Sequence, residues 1–249
     1  MRVAPVTVQD PVSSAPWRER IRQIARYLGA CVWGGLVAGL LIGGIGSRLA
    51  MFVMRATTGD SVVGLESDDG FTIGQLSGDT FFLILFAGVA GMVASLFYGL
   101  VRVWLPTRHR AWWFGALGAL VGGSVIVHAD GIDFSLLHPV ALAVVMFVAL
   151  PGLGATALSV VMERALERSE RRSKGWLAVL IPLPGLLLTG PLGLLLIVAL
   201  AAGYALESKV PLVRIWQSRP VTWLGRAALM AWGVAALIAL VTDIVQIAA

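Results

Sequence analysis

Residues 28–54 read LGACVWGGLVAGLLIGGIGSRLAMFVM, an unbroken apolar run whose single charged side chain is Arg48. A helix of about 20 apolar residues crosses the ~30 Å hydrocarbon core of a bilayer, so this run is long enough to span one. Within it small residues return every fourth position: Cys31, Gly35, Gly39, Gly43 and Ser47, with Gly34, Ala38, Gly46 and Ala50 widening the same smooth side. Positions four apart share one face of a helix. In lipid, helices gain little by hiding apolar surface from each other. Close backbone approach through small residues is the main alternative. The stripe repeats as Ala87, Gly91, Ser95 and Gly99, and again as Gly115, Ala119 and Gly123. The spacing predicts that the first three helices touch tightly in a compact bundle; helices that slide, as in a transporter, are the competing reading.

Composition extends this to the whole chain. It has 249 residues, 58% of them hydrophobic and 13% charged. A soluble domain carries about a quarter charged residues, enough to cover a water-facing surface. The apolar positions form solid blocks, whereas a membrane barrel shows alternating segments of ~10 residues. The expected fold is therefore all-α, a polytopic transmembrane helix bundle with apolar runs at 28–54, 81–104, 112–128, 139–162, 175–206 and 223–247. Residues 1–27 read as a cytoplasmic tail and amphipathic lead-in and 28–249 as the transmembrane domain. Its core hairpins are 28–104 and 112–162, and its C-terminal part is 175–249. The first run exceeds the 7–15 residues of a signal-peptide core, so it is expected to remain as an anchor. Cys31 is the single cysteine, which leaves no disulfide and no cysteine metal cluster.

Charge sets the expected orientation. Arg18, Arg20, Arg22 and Arg26 precede the first run; Asp60, Glu66, Asp68, Asp69 and Asp79 follow it; Arg102 stands at the end of the second, and Arg108 and Arg110 follow it; Asp130 and Asp133 follow the third. Basic loops stay on the cytoplasmic side, so the acidic loops 55–80 and 128–138 face outward. The same placement accounts for the net charge of +5 without nucleic acid as a partner. After the fourth run, Glu163, Glu167 and Glu170 alternate with Arg164, Arg168 and Arg171, which reads as a solvated extension of the helix. The fifth block, 175–206, breaks the alternation, because Lys209, Arg214, Arg219 and Arg226 beyond it belong inside. Pro182, Pro184, Gly190 and Pro191 interrupt it, and a turn at Thr189-Gly190-Pro191 would make a hairpin that restores the charge rule, with one tilted, kinked span as the alternative. The segment count is thus six to seven. Trp216 and Trp223 belong at headgroup depth.

Few residues carry chemistry. An arginine inside a membrane span is costly, so Arg48 should reach the outer headgroups or a carboxylate, with Asp79, Asp130 and Asp133 the candidates for an ion or ligand site. In 128–139, HADGIDFSLLHP, His128 and His138 with the two aspartates are chemically suited to zinc. Their order lacks the i, i+4 pair of HExxH. A turn accounts for each residue separately, with Asp130-Gly131 turning the chain and Pro139 opening the next helix. The acidic loop 60–70 lacks the D-x-[DN]-x-[DN]-G calcium spacing. No cofactor is expected.

The combination of Gly46-Ser47-Arg48-Leu49-Ala50-Met51, Asp68-Asp69-Gly70-Phe71-Thr72-Ile73-Gly74-Gln75 and HADGIDFSLLHP followed by Ala149-Leu150-Pro151-Gly152 resembles a group of uncharacterised bacterial multi-pass membrane proteins, over roughly residues 30–162. The resemblance implies a bacterial plasma-membrane location and no particular activity. The function expected is a non-enzymatic scaffold or accessory subunit of a membrane complex, with the bilayer, other membrane subunits or a second copy as partners. A carrier using Arg48 and outer carboxylates is the alternative, and a metal-dependent membrane enzyme at His128 the third reading.

Overall fold

The computed structural model describes residues 17–59, 78–129, 131, 139–172, 182–191, 193–195, 198 and 212–248. Their regular structure is helical throughout. α1 (Trp17–Ala38), a π-helical segment (Gly39–Gly46) and α2 (Ser47–Thr58) form one rod, followed by α3 (Gly78–Val101), α4 (Arg110–Ile126), α5 (Val140–Arg172), α6 (Leu183–Leu188), α7 (Leu212–Trp216) and α8 (Arg219–Ala248). Backbone angles at Ala38, Gly46 and Ser47 are right-handed helical, so the π segment widens the rod without breaking it.

Among the described residues, four helical stretches are long and apolar enough to cross a membrane: Ile21–Thr58, Thr80–Val101, Val140–Arg168 and Arg219–Ala248. Of the other expected segments, α4 has 17 residues. At 1.5 Å per residue that is about 25 Å, the lower limit for a span. The fifth block lies largely outside the described residues. Around these helices the apolar surface is turned outward. In α8, Trp223, Met230 and Ile238 are 69%, 71% and 62% exposed. A helix apolar on all sides belongs in a protein core or in a membrane, and no protein covers these faces among the described residues. The exterior is compatible with membrane insertion.

Backbone contact organises the interior. A Cβ placed on Gly35 would fall 2.7 Å from Met92 Cα, and one on Gly91 would fall 2.7 Å from Gly39 Cα. α1 and its π extension therefore cross α3 with main chain against main chain. Ala87 and Ser95 continue this seam, and Gly99 receives Tyr27 and Cys31. The third stripe takes a different partner. Gly115 and Ala119 of α4 meet Gly152 and Thr156 of α5, and Gly118 and Gly122 seat Pro151. Instead of three helices in mutual contact, the bundle has two close pairs, α1–α3 and α4–α5, joined where α1 packs on α5. The reason is that α5 offers small residues of its own around Pro151. The node between the pairs is polarisable: Ser95 Oγ lies 3.6 Å and Cys31 Sγ 3.9 Å from Met162 Sδ, all three residues buried.

The end of α3 shows how the chain satisfies its backbone polar groups. The last four carbonyls of a helix lack intrahelical partners. In lipid each must be satisfied by protein. Here Tyr98 O accepts from Arg102 N (2.8 Å), Gly99 O from Tyr27 Oη (2.7 Å), Leu100 O from Trp216 Nε1 (3.1 Å) and Val101 O from Trp104 N (2.9 Å). Arg226 Nε donates to Trp104 O at 2.8 Å, fixing α8 to the same corner. Trp216 thus serves as a cap whose ring is tilted against that of Trp104, centroids 4.6 Å apart.

In the fifth block, Thr189-Gly190 is a turn, with Gly190 at φ +59° and Gly193 N donating to Gly190 O. Leu186 of α6 is buried against Val32 and Met92. A left-handed conformation costs an L side chain about 1–2 kcal/mol, so Gly190→Ala should lower stability by about 1 kcal/mol and Gly190→Asn by less. Thermal melts in detergent, with thiol labelling of buried Cys31 as the unfolding signal, would measure it. Equal melting of all three chains would refute a turn held in this conformation.

Candidate functional site

Beside the Glu19–Arg22–Arg26 group within α1, the described residues contain an ionic cluster that joins separate helices, on α3, α4 and α5. Glu163 accepts from Tyr98 Oη at 2.8 Å, from Arg102 Nε at 3.1 Å and Nη2 at 2.7 Å, and from Arg110 Nη1 at 3.2 Å. Arg102 also stands over the Tyr27 ring, 6.0 Å from its centroid. The three charged side chains are only 19–29% exposed. Local structure explains the convergence. Tyr98 and Arg102 are four apart, so both reach α5 from the same face of α3. His109 takes a left-handed backbone conformation, φ 63°, and starts α4 so that Arg110 meets the same carboxylate. The Arg102 guanidinium is held above its ordinary pKa: burial lowers it, but the Glu163 carboxylate and Tyr27 outweigh that. Glu163 is therefore no solvated residue on a helix extension, although Arg164, Glu167 and Arg168 beside it are exposed. The cluster clamps α1, α3, α4 and α5 at one end of the bundle.

Removing the Tyr98 hydroxyl takes one donor from Glu163 and leaves the ring packed on Phe114, centroids 4.7 Å apart. Tyr98→Phe should cost about 1–2 kcal/mol, the range for a hydrogen bond to a charged group. Cys31 labelling against urea would read it, and an unchanged midpoint would mean that Arg102 and Arg110 suffice.

The second feature is a groove of about 530 Å³ beside the same helices. Its volume is within the ~300–1,000 Å³ of small-molecule sites. α3 packs on α1 and α4 on α5, so these consecutive helices stand on opposite sides of the groove. The π segment and α5 contribute Gly43, Leu150 and Gly154, the walls Phe86, Ala90 and Val121. At the end nearer Glu163, the rings of Phe97, Phe114 and Trp232 close together, with Phe97 edge-on to Trp232 at 5.8 Å.

The residues singled out by sequence are dispersed or lie outside this picture. Arg48 is half-buried on α2, its Nη1 3.9 Å from Met51 Sδ. Ser47 Oγ donates to Gly44 O at 2.8 Å and lines the groove. His128 is exposed just past α4, its carbonyl accepting from Gly131 N. Asp130, Asp133 and His138, and the side chain of Asp79, are outside the described residues. Among those described, no three His, Cys, Asp or Glu side chains converge as a metal site would require. Sequence reasoning missed Glu163 and the groove. The clue to Glu163 was the Tyr98/Arg102 pair four residues apart at the close of an apolar run; nothing local marked the groove.

Compared with protein-family models, characterised proteins and solved structures, the chain matches none.

Proposed function

We propose that this protein is a non-enzymatic integral membrane protein, a scaffold or accessory subunit of a membrane complex. The observation that carries the reading is the apolar lining of the groove, together with a charged cluster whose carboxylate is fully engaged in holding three helices. A carrier for polar solutes needs unspent polar groups facing a path. Here the groove presents glycine, alanine, leucine and phenylalanine, and the strong charges sit outside its lining. By the positive-inside rule, the N-terminus and the Glu163 end face the cytoplasm of a bacterium and loops 55–80 and 128–138 face outward. The natural partners are the bilayer and other membrane subunits.

The test is purification in mild detergent followed by identification of stoichiometric companions. A defined protein companion that survives size exclusion supports the reading. A chain that stays soluble without detergent, or a purified protein that transports a polar solute into vesicles, refutes it.

A further inference from the structure

The first rod changes its own winding. From Gly39 to Gly46 it is a π-helix, and on both sides of that segment it is an α-helix. A π turn bonds residue i to i+5 where an α turn bonds i to i+4, so the widened stretch carries an extra residue. Eight residues is long for a form usually confined to single turns, which are frequent at functional sites. Gly39 and Gly44 hold it against the α3 backbone, at Ala87 O and Ile84 Cα. Four of the eight residues are glycine, which changes backbone conformation most freely.

Re-bonding the segment as α-helix turns everything beyond it by the angle of one residue, about 100° about the rod axis. Each α2 residue then takes the place of its successor. Leu49 and Val53, now exposed, enter the seam held by buried Ala50 and Met54. Ala50 replaces Met51 on the groove wall, and Gly46 replaces Ser47. Both registers fill the seam with apolar side chains, but only the π register puts the long Met51 side chain into the α2 end of the groove. Arg48, now half-buried, moves to the exposed place of Leu49. Turning a charge toward lipid is costly, so the π register is the resting one. We propose that the π segment is a register switch, whose re-bonding rotates α2 and opens the α2 end of the groove by withdrawing Met51 and Ser47. Packed helices move between discrete arrangements rather than deforming smoothly, and rotation at a helix seam is one such movement. The switch goes beyond the scaffold reading and does not depend on which companion the protein serves.

Disulfide trapping in the full-length protein in lipid nanodiscs tests it, because oxidation captures a register that is seldom populated. Met54 is buried in one cluster with Ala143 of α5. In a Cys31→Ser background, Met54→Cys with Ala143→Cys reads the π register, and Val53→Cys with Ala143→Cys reads the α register. Phe52→Cys with Ala143→Cys is the control, because Phe52 reaches that place in neither. A minor state populated at about 0.1–10% puts the Val53 pair about ten- to a thousandfold behind the Met54 pair. It should still form at least tenfold faster than the Phe52 pair. Deleting Leu41, an exposed side chain, removes the extra residue, so the rod closes as α-helix with α2 where it now stands. The Met54 pair should survive this deletion, and the Val53 pair should fall to the Phe52 level. Equal rates for Val53 and Phe52 overturn the proposal, since fraying of α2 treats both alike. A Val53 pair that forms as fast after the deletion also overturns it. Should the shortened chain not fold, the ratio of Val53 to Phe52 decides alone.

Discussion

Gly91→Leu should destroy the native bundle. The new side chain would start where Gly39 Cα and N already stand, 2.7 and 3.0 Å from the added Cβ. Overpacking a core costs about 1–3 kcal/mol when side chains can yield, and more when they cannot. Here the obstacle is main chain, so α1 and α3 must separate along the whole seam that buries Cys31, Met92 and Ser95. We expect a loss of at least 4 kcal/mol, larger than that range because both backbones must move. Cys31 should then label within the time needed for unfolded protein. Gly233→Ala is the control. Its Cβ meets Leu117 Cδ1 at an ordinary 3.7 Å. The exchange should be neutral or stabilising by up to about 1 kcal/mol, the propensity gain of alanine over glycine within a helix. If Gly91→Leu melts with the parent, the helices do not cross here and the account of the bundle is wrong.

Glu163→Gln should have the next largest effect. The glutamine keeps the shape and can still accept from Tyr98, but it removes the one negative charge between Arg102 and Arg110. Stripping one partner from a buried ion pair costs about 3–5 kcal/mol. With a fifth to a third of each side chain in contact with solvent, we expect about 2–3 kcal/mol. Arg110→Gln should cost clearly less, because it leaves Arg102 and Glu163 as a balanced pair joined by two hydrogen bonds. In the double variant, Arg110→Gln should recover part of what Glu163→Gln loses by removing a like charge. Melting temperatures of the three variants and the parent, in one detergent, close the cycle. Equal losses for the two single variants would mean that hydrogen bonding, not charge, holds this corner.

What was readable in advance follows from range of interaction. The apolar length of residues 28–54 and the four-residue stripe of Gly35 and Gly39 are local properties, because the helical repeat alone places those positions on one face. They determined a helical chain suited to lipid, with small-residue seams. Which seam meets which is a long-range matter. The stripe at Gly115 and Ala119 reads like the one at Gly91, yet it meets α5 because Pro151 and Gly152 complete that contact. Glu163 sits in a run of alternating charges typical of a wet helix end. Only the tertiary structure brings it to Arg110, 53 positions back, and Arg102, 61 back. The groove arises the same way. Each of its residues has an ordinary place in an apolar helix, and the space exists because α3 and α4 are each held by a different neighbour. Helical periodicity fixes the face a side chain occupies; packing between distant segments decides what that face meets.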